Sequence, residues 1–194
     1  MARNLTITLL LLLLVGVVSL LVYPYTKPYA FYSADKLYNL GQAAQEAGIN
    51  YDVVTPRSLD SAIVYYELAI TKGYRPKSIF KNLYICYIGN SLGYEAEPML
   101  SKAVDLYPSD REFWYWRANS RLAQRKFKLA IEDYDQALLI KGNFEERAYA
   151  YYDRGAARYM LGHRAAAEQD QRVAQSLHKE SFTRSYDEYC NQFR

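Results

Sequence analysis

The stretch KLAIEDYDQALLI, residues 128–140, decides the reading of this chain. Its alanines, Ala130 and Ala137, stand seven residues apart with Tyr134 between them. Seven residues is about two turns of an α-helix, so both methyl groups lie on one face beside a large ring. The spacing recurs. DSAIVYYELAI carries Ala62 and Ala69, YEAEPMLSKAV carries Ala96 and Ala103, and AAAEQDQRVAQ carries Ala167 and Ala174. The first alanines of successive pairs are 34, 34 and 37 residues apart. A recurring interval of this size marks an array in which each unit is one supersecondary element.

Other positions keep register with the alanines. A bulky residue opens the first helix of a unit at Phe80, Trp114 and Tyr151. A small one comes next at Ala118 and Gly155, with Tyr84 departing. A large residue falls between the alanines at Tyr66, Leu100 and Tyr134, with Gln171 departing, and Pro108 closes one unit. The pattern resembles the tetratricopeptide repeat (TPR), a helix–turn–helix unit of about 34 residues. The resemblance covers residues 33–181 as units 33–76, 77–110, 111–144 and 148–181. It implies an all-α, helical-hairpin repeat solenoid of four TPR-like units. One such unit cannot bury its apolar face alone, so several must stack.

The first unit is irregular. Its first helix reads as 33–47 with Gly41 as the small residue, and GINYDVVTP lengthens the inter-helix loop. Thr55 before Pro56 reads as cap and first turn of the second helix. Ser109 and Glu112 fit a capping box, and Pro98 predicts a helix that starts late or bends. Phe182, Tyr186, Tyr189 and Phe193 fall at steps of 4, 3 and 4, which predicts a C-terminal capping helix over 182–194.

The N-terminal residues 1–28 read differently. No charge interrupts the chain between Arg3 and Lys27. As a helix this apolar segment would reach ~34 Å, enough to cross a bilayer core. Tyr23 and Tyr25 suit an interfacial belt, and Pro24 and Pro28 end the helix. The expectation is one transmembrane anchor, with the repeats on the extracytoplasmic side by the weak positive bias before the span. The alternative is a cleaved signal segment and a soluble, secreted module.

Composition narrows the function. The net charge of +3 does not call for a nucleic-acid partner. REFWYWRANSRLAQRKFK carries six bases and one acid, yet Arg117 and Arg154 each have an acid 16 residues on, at Asp133 and Asp170. These are expected as structural ion pairs across each hairpin. Cys86 and Cys190 form no disulfide framework or metal site by spacing, and pair only if the fold joins them in an oxidising compartment. His163 and His178 lack ligand spacing, and no phosphate loop or triad order is visible. No catalytic residue, metal or cofactor and no small-molecule substrate is expected, and an enzyme on a repeat scaffold is the remote alternative.

The TPR resemblance implies a partner groove along the first helices of the units. Transferred position by position, its wall is Lys81, Ile85 and Ile88, then Tyr115, Asn119 and Leu122, then Tyr149, Tyr152, Ala156 and Tyr159. Lys81 and Asn119 are the polar handles. Too few bases line this wall to hold a terminal carboxylate, so an extended or helical segment with apolar anchors fits better. The expected function is a membrane-anchored scaffold for a protein or peptide partner, as an assembly subunit or chaperone-like adaptor.

Overall fold

The computed structural model describes residues 29–49, 56–178 and 181–193. The apolar stretch at 1–28 lies outside them, and so does the expected anchor. No helix among the described residues is long and apolar enough to cross a membrane.

The described chain is helical without a strand. The first unit pairs α1 (Ala34–Ile49) with α2 (Pro56–Thr71). The second pairs α3 (Lys77–Gly89) with α4 (Glu97–Leu106), joined through a 3-10 turn at Gly93–Glu95. The third pairs α5 (Arg111–Ala123) with α6 (Phe127–Leu139), and the fourth α7 (Arg147–Met160) with α8 (Arg164–Leu177). Each helix packs chiefly on its neighbours in sequence, and the first helix of a unit also meets that of the next, α1 with α3 and α5 with α7. We call α1, α3, α5 and α7 the A helices, and their shared side the A-helix face.

All eight alanines of the repeating pairs are fully buried, at 0% exposure. A methyl group is the largest side chain that lets two helix backbones approach this closely, and larger rings fill the wedges beside it. Tyr66 and Tyr134, each between two alanines, are also at 0%. Their hydroxyls reach partners at the rim, Tyr66 donating to Gln45 Oε1 at 2.6 Å and Tyr134 to Asn119 Oδ1 at 2.7 Å. A tyrosine serves such a wedge because its ring is apolar and its tip can leave the core.

The turns that end the A helices explain why successive hairpins share one shape. After α3, Leu92 N bonds Tyr87 O and Ser91 N bonds Ile88 O. After α5, Lys126 N bonds Arg121 O and Arg125 N bonds Leu122 O, and after α7 the same pattern runs from His163 and Gly162. This paired closure needs a left-handed residue just past the helix. Only the last of the three supplies glycine, and Ser91 and Arg125 adopt φ of 59° and 62°.

Two local expectations change, and the late start expected from Pro98 is met. The N-cap of α5 is Asp110, which accepts from Glu112 N at 3.1 Å, and not Ser109. A carboxylate one residue nearer the helix reaches the orphan N–H directly. Pro98 sits in the first turn of α4, which starts late, and the 3-10 turn before it takes up the residues left over. The C-terminal segment is not one helix over 182–194. It forms α9 (Tyr186–Tyr189) and then a 3-10 turn at Cys190–Phe193. Phe182 stands apart from that helix with φ 62°, and Ser185 caps it by accepting from Glu188 N.

Close helix approach makes the buried and exposed sides of α6 respond unequally to substitution. Ala137→Leu forces bulk between α5 and α6 and lowers stability by about 1–3 kcal/mol. Leu139→Ala, at a side chain 73% exposed, shifts it by less than about 0.5 kcal/mol. Urea unfolding followed by circular dichroism measures both.

Candidate functional site

Charged side chains link the second, third and fourth units. Arg117 donates to Asp133 from Nε at 2.8 Å and from Nη2 at 2.7 Å. Arg121 adds a third bond to Asp133 at 2.7 Å and reaches back to Glu97 on α4 at 2.9 Å. The fourth unit repeats this design. Arg154 donates to Asp170 at 3.0 and 2.6 Å, Arg158 adds a bond at 2.8 Å, and Arg154 reaches back to Asp135 on α6 at 2.6 Å. Asp133 and Asp170 are each 2% exposed, so neither carboxylate has water to turn to. Burial works against the Arg154 charge, but Asp170 and Asp135 together hold its pKa above the usual value. Burial likewise works against the Glu97 carboxylate, and Lys126 and Arg121 outweigh it and keep it below the usual range.

These bonds account for much of the basic stretch around α5. Arg111 is taken by the carbonyls of Gly142 and Asn143 at 2.8 and 2.9 Å, and Lys126 pairs with Glu97 at 2.5 Å. Cys86 and Cys190 are buried in separate core clusters and are not joined by a disulfide. Burial pushes the Cys86 thiol up to about 12. Among the described residues no group of three or more His, Cys, Asp or Glu could hold a metal ion.

The A-helix face divides into two halves. In the N-terminal half, the α3 surface is open and aliphatic. Ile85 and Ile88 on α3 are 47% and 52% exposed. Lys81 is half-buried beside them, paired with Glu112 and 5.9 Å from the Trp116 ring centroid. Trp116 stacks on Tyr84 at 4.5 Å, which places a flat aromatic floor next to the aliphatic pair. Tyr84, the departure from the small residue of the repeat, is thereby absorbed.

The C-terminal half is covered. The wall expected of Tyr115 and Tyr152 is taken up by intramolecular packing, and both are buried. Tyr115 meets Phe144 edge-on at 5.7 Å and Tyr134 at 6.1 Å. Asn119 is committed to the Tyr134 hydroxyl. Tyr152 is enclosed by three rings of the C-terminal segment, Phe182 at 5.0 Å, Tyr186 at 5.1 Å and Tyr189 at 4.8 Å. Tyr159 donates to Asp187, and Tyr149 remains 52% exposed at the edge with Phe182 against its ring at 5.0 Å.

Two groups in this half carry no motif of their own in the sequence. Asp153 on α7 accepts from the Tyr189 hydroxyl at 2.6 Å. Burial raises its carboxyl to about 6, and the bond from Tyr189 only partly offsets that. Gln171 and Gln175 on α8 donate to the backbone carbonyl of Phe182 at 3.1 Å each, and Gln171 also to that of Arg184 at 3.1 Å. The signal was present at Gln171, where the repeat pattern calls for a large residue between alanines. A cleft of about 380 Å³ remains beside the segment, lined by Tyr149, Tyr152, Asp153, Phe182, Thr183, Arg184 and Tyr189. A second cleft of about 400 Å³ among α2, α3 and α4 has only exposed charges, Arg75, Lys102 and Asp105, among its lining residues. It brings together no buried polar groups that could do chemistry.

This architecture is that of a TPR-like solenoid. Solved structures similar to it include MamA AMB-1, at 16% identity over 77% of this chain and 75% of that one, with a TM-score of 0.63. YrrB, described as a TPR protein with an unusual peptide-binding site, matches at 16% identity over 81% and 74%, with a TM-score of 0.63. Pseudomonas aeruginosa PilF matches at 17% identity over 87% and 71%, with a TM-score of 0.56. At these identities the likeness establishes the fold. No protein-family model and no curated protein sequence matches the chain.

Two outcomes test the electrostatics. Asp133→Ala leaves Arg117 and Arg121 facing a buried void, and lowers stability by about 3–5 kcal/mol in urea unfolding. Asp153 acts through pH. Its folded value near 6 exceeds the ordinary unfolded value, so the native state binds the extra proton between about pH 4 and 6. The stability it contributes is complete below about pH 4 and is lost as pH rises through 6. Wild type minus Asp153→Asn, compared by urea unfolding at each pH, therefore declines by up to about 3 kcal/mol over that window.

Proposed function

We propose that this chain is a membrane-anchored repeat scaffold that binds a protein or peptide segment on its A-helix face, as an assembly subunit or chaperone-like adaptor. The observation that carries the reading is the exposed pair Ile85 and Ile88 beside the Lys81–Glu112 pair and the Trp116 ring. Neighbouring aliphatic side chains left in water on a face with nearby polar handles favour a partner with apolar anchors. The YrrB neighbour, described as having a peptide-binding site, is consistent with that use of the fold.

The anchor reading rests on the uncharged stretch before Lys27 and on the attachment of residues 29–32 to the first unit. Tyr29 meets Tyr65 edge-on at 5.1 Å, and Lys72 Nζ donates to the carbonyls of Ala30 and Tyr32 at 2.6 Å each. A span ending near residue 28 would therefore hold the solenoid against the membrane surface without a long flexible linker. Tethering of this kind raises the effective concentration of the groove toward a partner in the same bilayer.

The test places a photo-crosslinking residue at position 81 in membranes and compares substitutions. Ile85→Asp reduces partner recovery at least tenfold, while Leu139→Asp on the exposed side of α6 leaves it unchanged. Equal recovery from both would move the interaction off this face. Sequencing the mature N-terminus checks the anchor, which requires Met1 or Ala2 to be retained. A start beyond the apolar stretch makes the protein a released module.

A further inference from the structure

The fourth unit lacks the large side chain that fills the wedge in its counterparts, a ring in the first and third units and Leu100 in the second. Tyr66 in the first unit and Tyr134 in the third stand between their alanines and are fully buried. Gln171 occupies this place in the fourth. The wedge is nonetheless filled, from outside the hairpin. A methyl built on Gly155 would collide with the Tyr186 hydroxyl, as one on Gly41 would lie 2.6 Å from the Tyr66 ring. The Tyr186 hydroxyl donates to the carbonyl of Tyr152 at 3.0 Å, and its ring stacks on that of Tyr152. A side chain borrowed from the C-terminal segment thus completes the unit.

The way the segment is held is that of a bound peptide. Its backbone carbonyls at Phe182 and Arg184 are read by Gln171, Gln175 and the Tyr152 hydroxyl, the last at 2.9 Å. Its side chains enter separate places. Tyr186 takes the slot over Gly155, Tyr189 takes Asp153, and Asp187 takes the Tyr159 hydroxyl. Arg164 lies over the Tyr159 ring at 5.1 Å. Phe182 is held at φ 62°, a conformation disfavoured for an aromatic residue and kept only where the surroundings impose it. Release from the slot would relieve that strain, which favours exchange. The helical part is a single turn, too short to persist on its own.

We propose that residues 182–193 are a built-in ligand for a peptide slot on α7 and α8, and that an external partner displaces them with a segment of the same chemistry: an aromatic residue, then a helical turn bearing Tyr-Asp-x-Tyr. This rests on the reading of the A-helix face as a peptide surface, and it names the partner's chemistry and the regulation of that surface. The open aliphatic half receives a partner first. The covered half engages only when the chain's own segment yields, so a partner lacking the tyrosine turn is held by one half alone.

The experiment uses the full chain. Tyr186→Ala with Tyr189→Ala empties the slot without shortening the protein. A fluorescein-labelled synthetic peptide of residues 181–193, carrying Cys190→Ser, binds this variant saturably and at least tenfold more tightly than wild type, in fluorescence anisotropy. Gly155→Val added to the variant blocks the slot and removes that binding. Equal binding to wild type and variant, or binding indifferent to Gly155→Val, overturns the proposal. Hydrogen exchange on wild type decides the matter if the double variant loses helix content. Amides of 186–190 exchange at least tenfold faster than those of 150–157. Exchange of the two stretches in step would make the segment an inseparable part of the fold. Peptide binding as stated, with Ile85→Asp leaving partner recovery unchanged, keeps the slot and discards the open patch. The reverse pair of results discards the slot alone.

Discussion

Everything in this molecule depends on how near two helices can come. The eight alanines at 0% exposure set that distance in each hairpin, and the rings beside them fill what the methyls leave. Close approach forces the wedge residues to be large and the rim residues to be polar, because each tyrosine hydroxyl must emerge where it can be bonded. Tyr87 reaches Glu67 and Tyr107 reaches the carbonyl of Arg75, both at 2.6 Å. Tyrosine, used 21 times in the chain, suits this geometry because its ring fills a wedge and its polar end emerges at the rim.

The arginine network solves a second problem posed by the same geometry. Successive units already meet through apolar side chains, Phe80 with Phe113 at 6.2 Å and Tyr107 with Phe113 at 6.0 Å, but such contacts do little to fix orientation. Each of Asp133 and Asp170 receives two arginines from the A helix of its own hairpin, and one of those arginines bonds an acid of the unit before. The bidentate fork fixes orientation as well as distance. Buried pairs of this kind add little net stability over an apolar substitute, but a hairpin docked out of register would strand them. Their value lies in making wrong stacking costly.

This division between packing and charge governs how much was legible in the sequence. The helices and the hairpin order were legible because the constraint is periodic, and alanines at a fixed interval betray it. The ion pairs were legible because a spacing of 16 residues spans one hairpin turn. The open half of the face was partly legible, since Ile85 and Ile88 stay in water. The covered half was not. Transferring a wall residue from the resemblance assumes that nothing of the same chain sits on it, and Tyr152 is enclosed by Phe182, Tyr186 and Tyr189. Likewise the steps of 4, 3 and 4 suggested one continuous helical face, while the segment bends at Phe182 to bring its rings to α7. Periodicity reports neighbours along a helix and is silent about a strained turn that depends on the surface beneath it.

The two ends of the array show how differently a solenoid can be closed. At the start, residues 29–32 are gripped through a lysine on their carbonyls and rings on one another, Tyr29 with Tyr32 and Tyr65. None of the eight alanines or the Gly41 slot needs that segment to be filled, since Tyr66 already does so. At the finish the wedge over Gly155 is empty unless Tyr186 enters it. A cap that only shields apolar surface could be replaced by any polar-backed helix. A cap that supplies one ring to one slot, while two glutamines read its carbonyls, discriminates among segments. The departure at Gln171 therefore does more than weaken a repeat. It exchanges a permanent internal ring for a replaceable one, and gives up the amide side chain to the backbone of whatever brings that ring.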